Sequence, residues 1–393
     1  MQLLHISDTH LGKRQYGQDF REQDVYNVFN KLIDIAINER VDAIIHTGDF
    51  FDVYEPQNRA EIEAIKALKR LKEHNIPFIS IAGDHDTPKK SDGRYPQDLL
   101  AELDLIKFLK NDKYVVGDVY IYGISHVPNT SKEKLKQRLY ALKAESKKSI
   151  LMLHQGFKEL LPYEGAWQIG ISDLPKSFSY YACGHIHDRT LKRLDDGRIL
   201  EIAGSPDIMR EEEIEGYKKN GKGATLIDFS KDEPRVQFIN LDIRPQLVEK
   251  LDTTKLDEEI KRILNSLRIY KDRPILHIIL TGISIPRDHL NKRLEILRQY
   301  ASLVRIFKDE TKVVQQAKNI ELPSNARLDD LIIEYLTKIE GFSKDEAEMI
   351  LEMIKHADDK EYVKKQLKKM LGIEEKEENK QTETEKKKNV SWW

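Results

Sequence analysis

Asp8-Thr9-His10, Gly48-Asp49, Gly83-Asp84-His85-Asp86, His154 and Gly184-His185-Ile186-His187 are the groups in this 393-residue chain whose types could do chemistry together. Carboxylate oxygens and imidazole nitrogens are donors for divalent cations. On an extended chain, residues two apart face the same side, so Asp8 converges with His10 and His185 with His187. A lone Gly-Asp or Asp-Thr-His is more often turn chemistry, and each group alone carries little. Their placement carries more: each follows an apolar run, Gln2 to Ser7, Val41 to Thr47, Pro77 to Ala82, Ile150 to Leu153 and Tyr180 to Cys183. Ligands of open α/β sheets bind beyond the carboxyl ends of the strands, so five such endings can meet at one candidate metal site.

The intervening segments have the helical spacing needed to hold those strands. Val25, Val28, Phe29, Leu32, Ile33 and Ala36 recur on one helix face, as do Ile62, Ile65, Leu68 and Leu71. Strands alternating with helices give an α/β class for residues 1–239. After Pro245 the pattern becomes helix (255–268), strand (275–281), helix (287–300) and strand (303–307), a second, smaller domain at 240–315. Residues 316–326, with Pro323, read as a linker.

Residues 327–373 read as a helical module. Leu328, Leu331, Ile332, Tyr335, Leu336 and Ile339 form one apolar stripe. Gly341 ends it, and Ser343 with Glu346 makes a capping box for a second helix bearing Ala347, Ile350, Leu351 and Ile354. A third carries Val363, Leu367, Met370 and Leu371. Residues 374–389 hold no core-forming side chains, so 374–393 is expected to be a disordered charged tail.

Composition narrows the classes. Lys and Arg total 65 against 67 Asp and Glu, a net charge of −2, so any nucleic-acid binding must be local. Charged residues make up 34% against a usual ~25%, a bias of hyperthermophile proteins and also of chains with solvated helices and a charged tail. Cys183 is the single cysteine, which excludes a multi-cysteine zinc site and leaves His and carboxylates as ligands. No apolar stretch approaches the ~20 residues of a membrane span, and the N-terminus has no secretory pattern, so a cytoplasmic location without membrane association is expected.

In order and spacing, Asp-x-His, Gly-Asp, Gly-x-His-Asp, a strand-ending His and Gly-His-x-His resemble the calcineurin-like metallophosphoesterases. DTHLGKRQY, HTGDFFD, IAGDHD, MLHQG, ISDLPKSFSYYACGHIH and EIAGSPDIMR further resemble the meiotic recombination protein eleven family, the nuclease subunits of the double-strand-break repair complex, particularly archaeal ones. The likeness is strong over residues 1–210 and weaker beyond. It implies a metallophosphoesterase sandwich of two β-sheets flanked by helices, a small α+β capping domain that binds DNA, and a C-terminal helical partner-binding module.

The resemblance also implies two Mn2+ ions per subunit, one held by Asp8, His10, Asp49 and His187, the other by Asp49, Asp84, His154 and His185. His85 would face the scissile phosphate as a donor or as the acid for the leaving oxygen, with Asp86 orienting it. Relatives usually carry Asn at the Asp84 position and often His at the Asp52 position. The added carboxylate at Asp84 should tighten metal binding, and Asp52 removes a phosphate-facing donor. By the same resemblance the protein is a double-strand 3′–5′ exonuclease and single-strand endonuclease in double-strand break repair. Its partners would be double- and single-stranded DNA and the radiation-sensitive-fifty coiled-coil ATPase, in a two-plus-two complex around a homodimer.

Lys13, Arg14, Tyr16, Arg59, Lys89, Lys90 and Arg94 follow ligand-bearing strands and are candidate contacts to the DNA backbone. Leu328, Leu331, Ile332, Tyr335, Leu336, Ile339, Ile350 and Leu351 are candidate contacts to the ATPase. Helices near 59–73 and 96–109 could pair across a two-fold, although Leu99, Leu100, Leu103 and Ile106 would equally suit a core. Two other readings stand beside this one: a metallophosphatase acting on small or protein phosphates, and a DNA-binding scaffold without catalysis. His5 and His46 read as core or supporting groups, His277 as a surface or second-domain residue, and His126 ends a strand and could approach the site but has no assigned role.

Overall fold

The computed structural model describes residues 1–90, 92–312, 327–338 and 340–371. The chain divides into two compact units, Met1–Val313 and Val314–Trp393. In the first, β1 (Gln2–Ile6), β2 (Ala43–Thr47), β3 (Phe78–Ile81) and β4 (Lys107–Phe108) run parallel in that order. A second sheet takes β5 (Lys113–Val116), β6 (Val119–Ile124), β7 (Ser149–His154), β8 (Tyr180–Gly184), β9 (Thr190–Arg193) and β10 (Ile199–Ile202), in the order β5-β6-β7-β8-β10-β9. The chain then returns: β11 (Gly223–Asp228) pairs antiparallel with β1, and β12 (Arg235–Asn240) forms the outer edge of the first sheet.

Alternation along the strands builds the layers. Leu3, Ala43, Ile45, Ile79 and Ile81 of the first sheet pack against Val119, Ile121, Ile150, Met152 and Ala182 of the second, so the two sheets share a core. The intervening positions, Leu4, Ile44 and Phe78, face α1 (Asp19–Asn38) and α2 (Asn58–Glu73) instead. On α1 the buried face includes Val25, Val28, Phe29, Leu32, Ile33 and Ala36, as the spacing predicts. On α2 it is Ala60, Ala64, Ala67, Leu68 and Leu71, whereas Ile62 is 50% exposed. The stripe expected through Ile62 was set by side-chain size; the small alanines lie on the face turned to the sheet. Beyond α3 (Pro96–Glu102), the far side of the second sheet is covered by α4 (Lys132–Ala141), which contributes Leu135 and Leu139, and by Phe157 and Phe178. Cys183 lies fully buried in that layer, and burial raises its thiol pKa, which fits a small core residue.

After α5 (Glu213–Asn220), a three-stranded parallel sheet has β14 (Ile275–Thr281) between β13 (Gln246–Asp252) and β15 (Leu303–Asp309). Its core joins Leu251, Leu276, Ile278 and Leu280 to Ile260, Ile263 and Leu267 of α6 (Leu256–Leu267), and to Leu290 and Leu294 of α7 (Arg287–Leu294). The sequence reading missed β13, because QLVEKLD buries its residues in no alternating pattern. Of the two expectations for His277, the second holds: it lies at the middle of β14 in the 240–315 region, fully buried and not on a surface.

The second unit contains α8 (Leu328–Lys338), α9 (Lys344–Lys355) and α10 (Lys360–Met370). The Ser343–Glu346 capping box starts α9 as its sequence requires, with the Glu346 carboxylate accepting from the Ser343 backbone N–H at 2.8 Å. Ala347 and Leu351 are buried, Leu331, Ile332, Leu336 and Ile350 half-buried, and Leu328 and Tyr335 exposed. Ile339, the linker and the charged tail lie outside the described residues. Among the described residues, no helix is long and apolar enough to cross a membrane.

Candidate metal centre

Because β1, β2 and β3 run parallel in one sheet and β7 and β8 in the other, their carboxyl ends open at one edge of the sandwich. Asp8 and His10 follow β1, Asp49 follows β2, Asp84 and His85 follow β3, His154 ends β7, and His185 and His187 follow β8. The loops are interlocked by backbone bonds: Asp8 N–H to Gly48 O and His10 N–H to Asp49 O, both 3.0 Å. Asp8, His10, Asp49 and His185 all have positive φ, 45° to 80°, a left-handed conformation costly for residues with a Cβ. Glycine is required where the loops touch: a Cβ on Gly83 would lie 2.0 Å from Asp49 Oδ1.

These turns bring the seven candidate ligands into one connected cluster. Asp8, His10 and His187 form one group of mutually close donor atoms, Asp8, Asp49 and His154 a second, and Asp49, Asp84 and His85 a third. His154 Nε2 stands 3.5 Å from Asp49 Oδ2 and 3.1 Å from Asp84 Oδ1, and His185 Nδ1 stands 3.0 Å from the same Asp84 oxygen. His10 Nε2 and His187 Nε2 are only 3.1 Å apart. The opposite nitrogen of each ring faces a carboxylate: His10 Nδ1 lies 3.3 Å from Asp52, and His187 Nδ1 donates to Glu213 at 2.6 Å. Two imidazoles backed by carboxylates and aimed at one another fit a shared cation, since such backing is what orients metal-binding histidines. The donor set therefore suits divalent metal.

The electrostatics agree. Burial opposes charge on His154, but the Asp49, Asp84 and Asp8 carboxylates outweigh it and raise its pKa well above the ordinary value. His10 is raised likewise against burial, by Asp52, Asp49 and Asp8. Burial also opposes ionisation of Asp49 and Asp84, yet the imidazoles around them hold both well below the usual carboxylate range. The cluster is thus poised for positive charge.

His85 joins this cleft, of about 630 Å³, with its Nδ1 donating to the Asp52 carbonyl at 2.6 Å. Nε2 is then the nitrogen left to exchange a proton. Asp86 does not orient it: its carboxylate accepts from the backbone N–H groups of Phe50, Phe51 and Gly83, stapling two ligand loops together. Burial and the Asp49 charge push Asp86 up to about 6 despite those three bonds.

Two supporting carboxylates, Glu213 and Glu201, had no signal in the sequence, whereas His5 and His46 read there as core or supporting groups. Glu213 accepts from His187, from Lys222 Nζ at 2.6 Å and from Ser205 Oγ at 3.0 Å, and burial notwithstanding, His187 and Lys222 keep its pKa low. Glu201 takes His5 Nδ1 at 2.8 Å, and His5 Nε2 meets Thr47 Oγ1 at 3.0 Å, behind the Asp49 loop. His46 pairs with Thr9 Oγ1, and burial lowers it to about 3.

The candidate DNA-contacting residues separate into two groups. Lys13 pairs with Asp52, Arg14 with Asp19, and Arg59 with Gln23 over the Tyr26 ring. Tyr16 is committed to the three-stranded sheet, its ring 4.2 Å from the Arg305 guanidinium and its hydroxyl donating to Gln246 at 3.3 Å. Lys89, Lys90 and Arg94 are exposed on the loop after β3.

The family model for the calcineurin-like phosphoesterases matches residues 1–189. The chain is 59% identical over 377 residues to the DNA double-strand break repair protein Mre11 of Sulfurisphaera tokodaii, covering 95% of this chain and 97% of the relative. It is 52% identical to the Saccharolobus solfataricus protein of that name, covering 95% and 99%, and 35% identical to that of Methanocaldococcus jannaschii, covering 70% and 75%. With the two-sheet fold and the converging Asp and His residues in place, these likenesses show that the chain belongs to the Mre11 family of DNA double-strand break repair proteins and carries its calcineurin-like metallophosphoesterase domain.

Proposed function

We propose that this protein is a manganese-dependent DNA nuclease, a 3′–5′ exonuclease on duplex ends and an endonuclease on single strands. Asp8, His10, Asp49 and His187 would hold one ion, and Asp49, Asp84, His154 and His185 the other. The observation that carries the reading is Asp49, whose Oδ2 stands 3.7 Å from His10 Nε2 of the first set and 3.5 Å from His154 Nε2 of the second. Carboxylates and imidazoles without thiolate suit manganese. Bound there, two such ions would polarise the phosphodiester, lower the pKa of an attacking water and offset charge on the leaving oxygen.

The chain's own groups supply the rest. His85, with Nδ1 tied to the Asp52 carbonyl, offers Nε2 to the phosphate or to the leaving 3′-oxygen as acid. Lys89, Lys90 and Arg94 offer charge to the DNA backbone on the same side as the Asp84 loop. A homodimer would use α2 and the segment around α3, where Ile62, Leu99 and Leu103 are exposed. The apolar residues of α8 and α9, with Leu328 and Tyr335 exposed, would receive the coiled-coil ATPase.

The test is a cleavage assay on supercoiled plasmid, linear duplex and single-stranded DNA with manganese, with and without the ATPase. Shortening of duplex from its 3′ ends and nicking of single strands are expected. Hydrolysis of small phosphate esters with no DNA cleavage under any of these conditions would refute it.

A further inference from the structure

His126 stands just beyond β6, the strand beside β7 in the second sheet, and shares the cleft with Asp84 and His185. Its Nδ1 faces the main-chain carbonyl of His154 at 3.2 Å. A ring nitrogen that meets a carbonyl must carry the proton, which leaves Nε2 of the neutral ring with a lone pair. A ring N–H tied to a backbone carbonyl is the usual support of a metal-binding imidazole. His126, Asp84 and His185 each place a donor atom within 4.8 Å of the other two. Its ring lies 6.0 Å from that of His185 and 6.1 Å from that of His154.

We propose that His126 is an additional ligand to the ion on the Asp84 side, joining Asp49, Asp84, His154 and His185. This rests on the two-ion reading given above. The consequence is asymmetry: the position with a third imidazole and two carboxylates gains a donor that its neighbour lacks, and its ion is held more tightly than four ligands would hold it.

The experiment is a titration of the metal-free full chain with manganese alone, followed by calorimetry, for wild type, His126→Ala and His126→Asn. The asparagine amide can keep the hydrogen bond to the His154 carbonyl but has nothing at the place of Nε2, so it separates ligation from support of the strand end. Wild type is expected to take two ions, and both variants to bind one of them about 10-fold or more weakly, the scale seen when the surroundings of a metal site are disturbed. A His126→Asn isotherm that matches wild type overturns the proposal. Fewer than two ions in wild type would instead overturn the two-ion reading. A second measurement needs no variant: manganese should protect His126 of the wild-type chain from acylation by diethyl pyrocarbonate, read by mass spectrometry. Equal modification with and without the metal would overturn the assignment.

Discussion

Replacing Glu213 by Gln should damage both stability and metal binding, through separable causes. Four donors converge on its two oxygens: His187 Nδ1 at 2.6 Å, Lys222 Nζ at 2.6 Å, Ser205 Oγ at 3.0 Å and the Met209 N–H at 3.1 Å. An amide presents one oxygen and one NH2, so at least one of those donors must face another donor. Lys222 is 2% exposed and would lose its only ion-pair partner among the described residues. Removing one partner of a buried pair costs about 3–5 kcal/mol. In a body of this size that lowers Tm on the order of 5–10 °C. Separately, His187 would lose the carboxylate that orients it, which weakens metal affinity about 10- to 100-fold. Thermal melting and manganese titration of Glu213→Gln and of Glu213→Gln with Lys222→Met test both terms. The double variant removes the stranded charge and should recover at least half of the lost Tm while metal binding stays weak. A wild-type manganese isotherm in Glu213→Gln, or no recovery of Tm in the double variant, would refute the argument.

Three further outcomes follow from the same geometry. His85→Ala should lose cleavage by about 10²- to 10⁴-fold, the range of an acid–base group, while manganese content and DNA affinity stay at wild-type levels; loss of metal would count against its role. Since neighbouring carboxylates raise the pKa values of His10 and His154 in the metal-free site, each ion must displace protons, so manganese affinity should fall as pH falls through that raised range, by about 10-fold per pH unit for each proton displaced. Equal isotherms at pH 6 and pH 8 would contradict this. Leu331→Asp with Leu336→Asp should abolish pull-down of the coiled-coil ATPase and leave DNA cleavage intact; full-strength pull-down would exclude that docking face.

The ligand-bearing residues were legible because backbone geometry exposes them locally. Asp8 and His10, like His185 and His187, announce convergence through their spacing of two, and each sits where an apolar run stops. Parallel strands then deliver those ends to one edge of the sandwich. Glu213 and Glu201 were not legible, because their partners arrive from elsewhere in the chain: Glu213 meets a histidine 26 residues earlier, and Glu201 one 196 residues earlier. As sequence, Glu213 is only an acidic residue in the first turn of a helix. Asp86 misled for the opposite reason. Its neighbour in sequence is His85, yet its carboxylate turns to the backbone of Phe50, Phe51 and Gly83. β13 was missed because a short strand with one neighbour in its sheet need not bury alternate residues.

The two-ion centre depends most on Asp49 serving two ions at once. Manganese bound per chain, measured by elemental analysis after equilibrium dialysis, tests this in wild type, His187→Ala and Asp49→Ala, with circular dichroism confirming the fold. Two ions are predicted for wild type, loss of one position for His187→Ala, and impaired binding at both positions with no detectable cleavage for Asp49→Ala. An Asp49→Ala protein that still holds two ions and cleaves DNA with manganese would contradict the bridging carboxylate, and with it the two-ion centre described for this cleft.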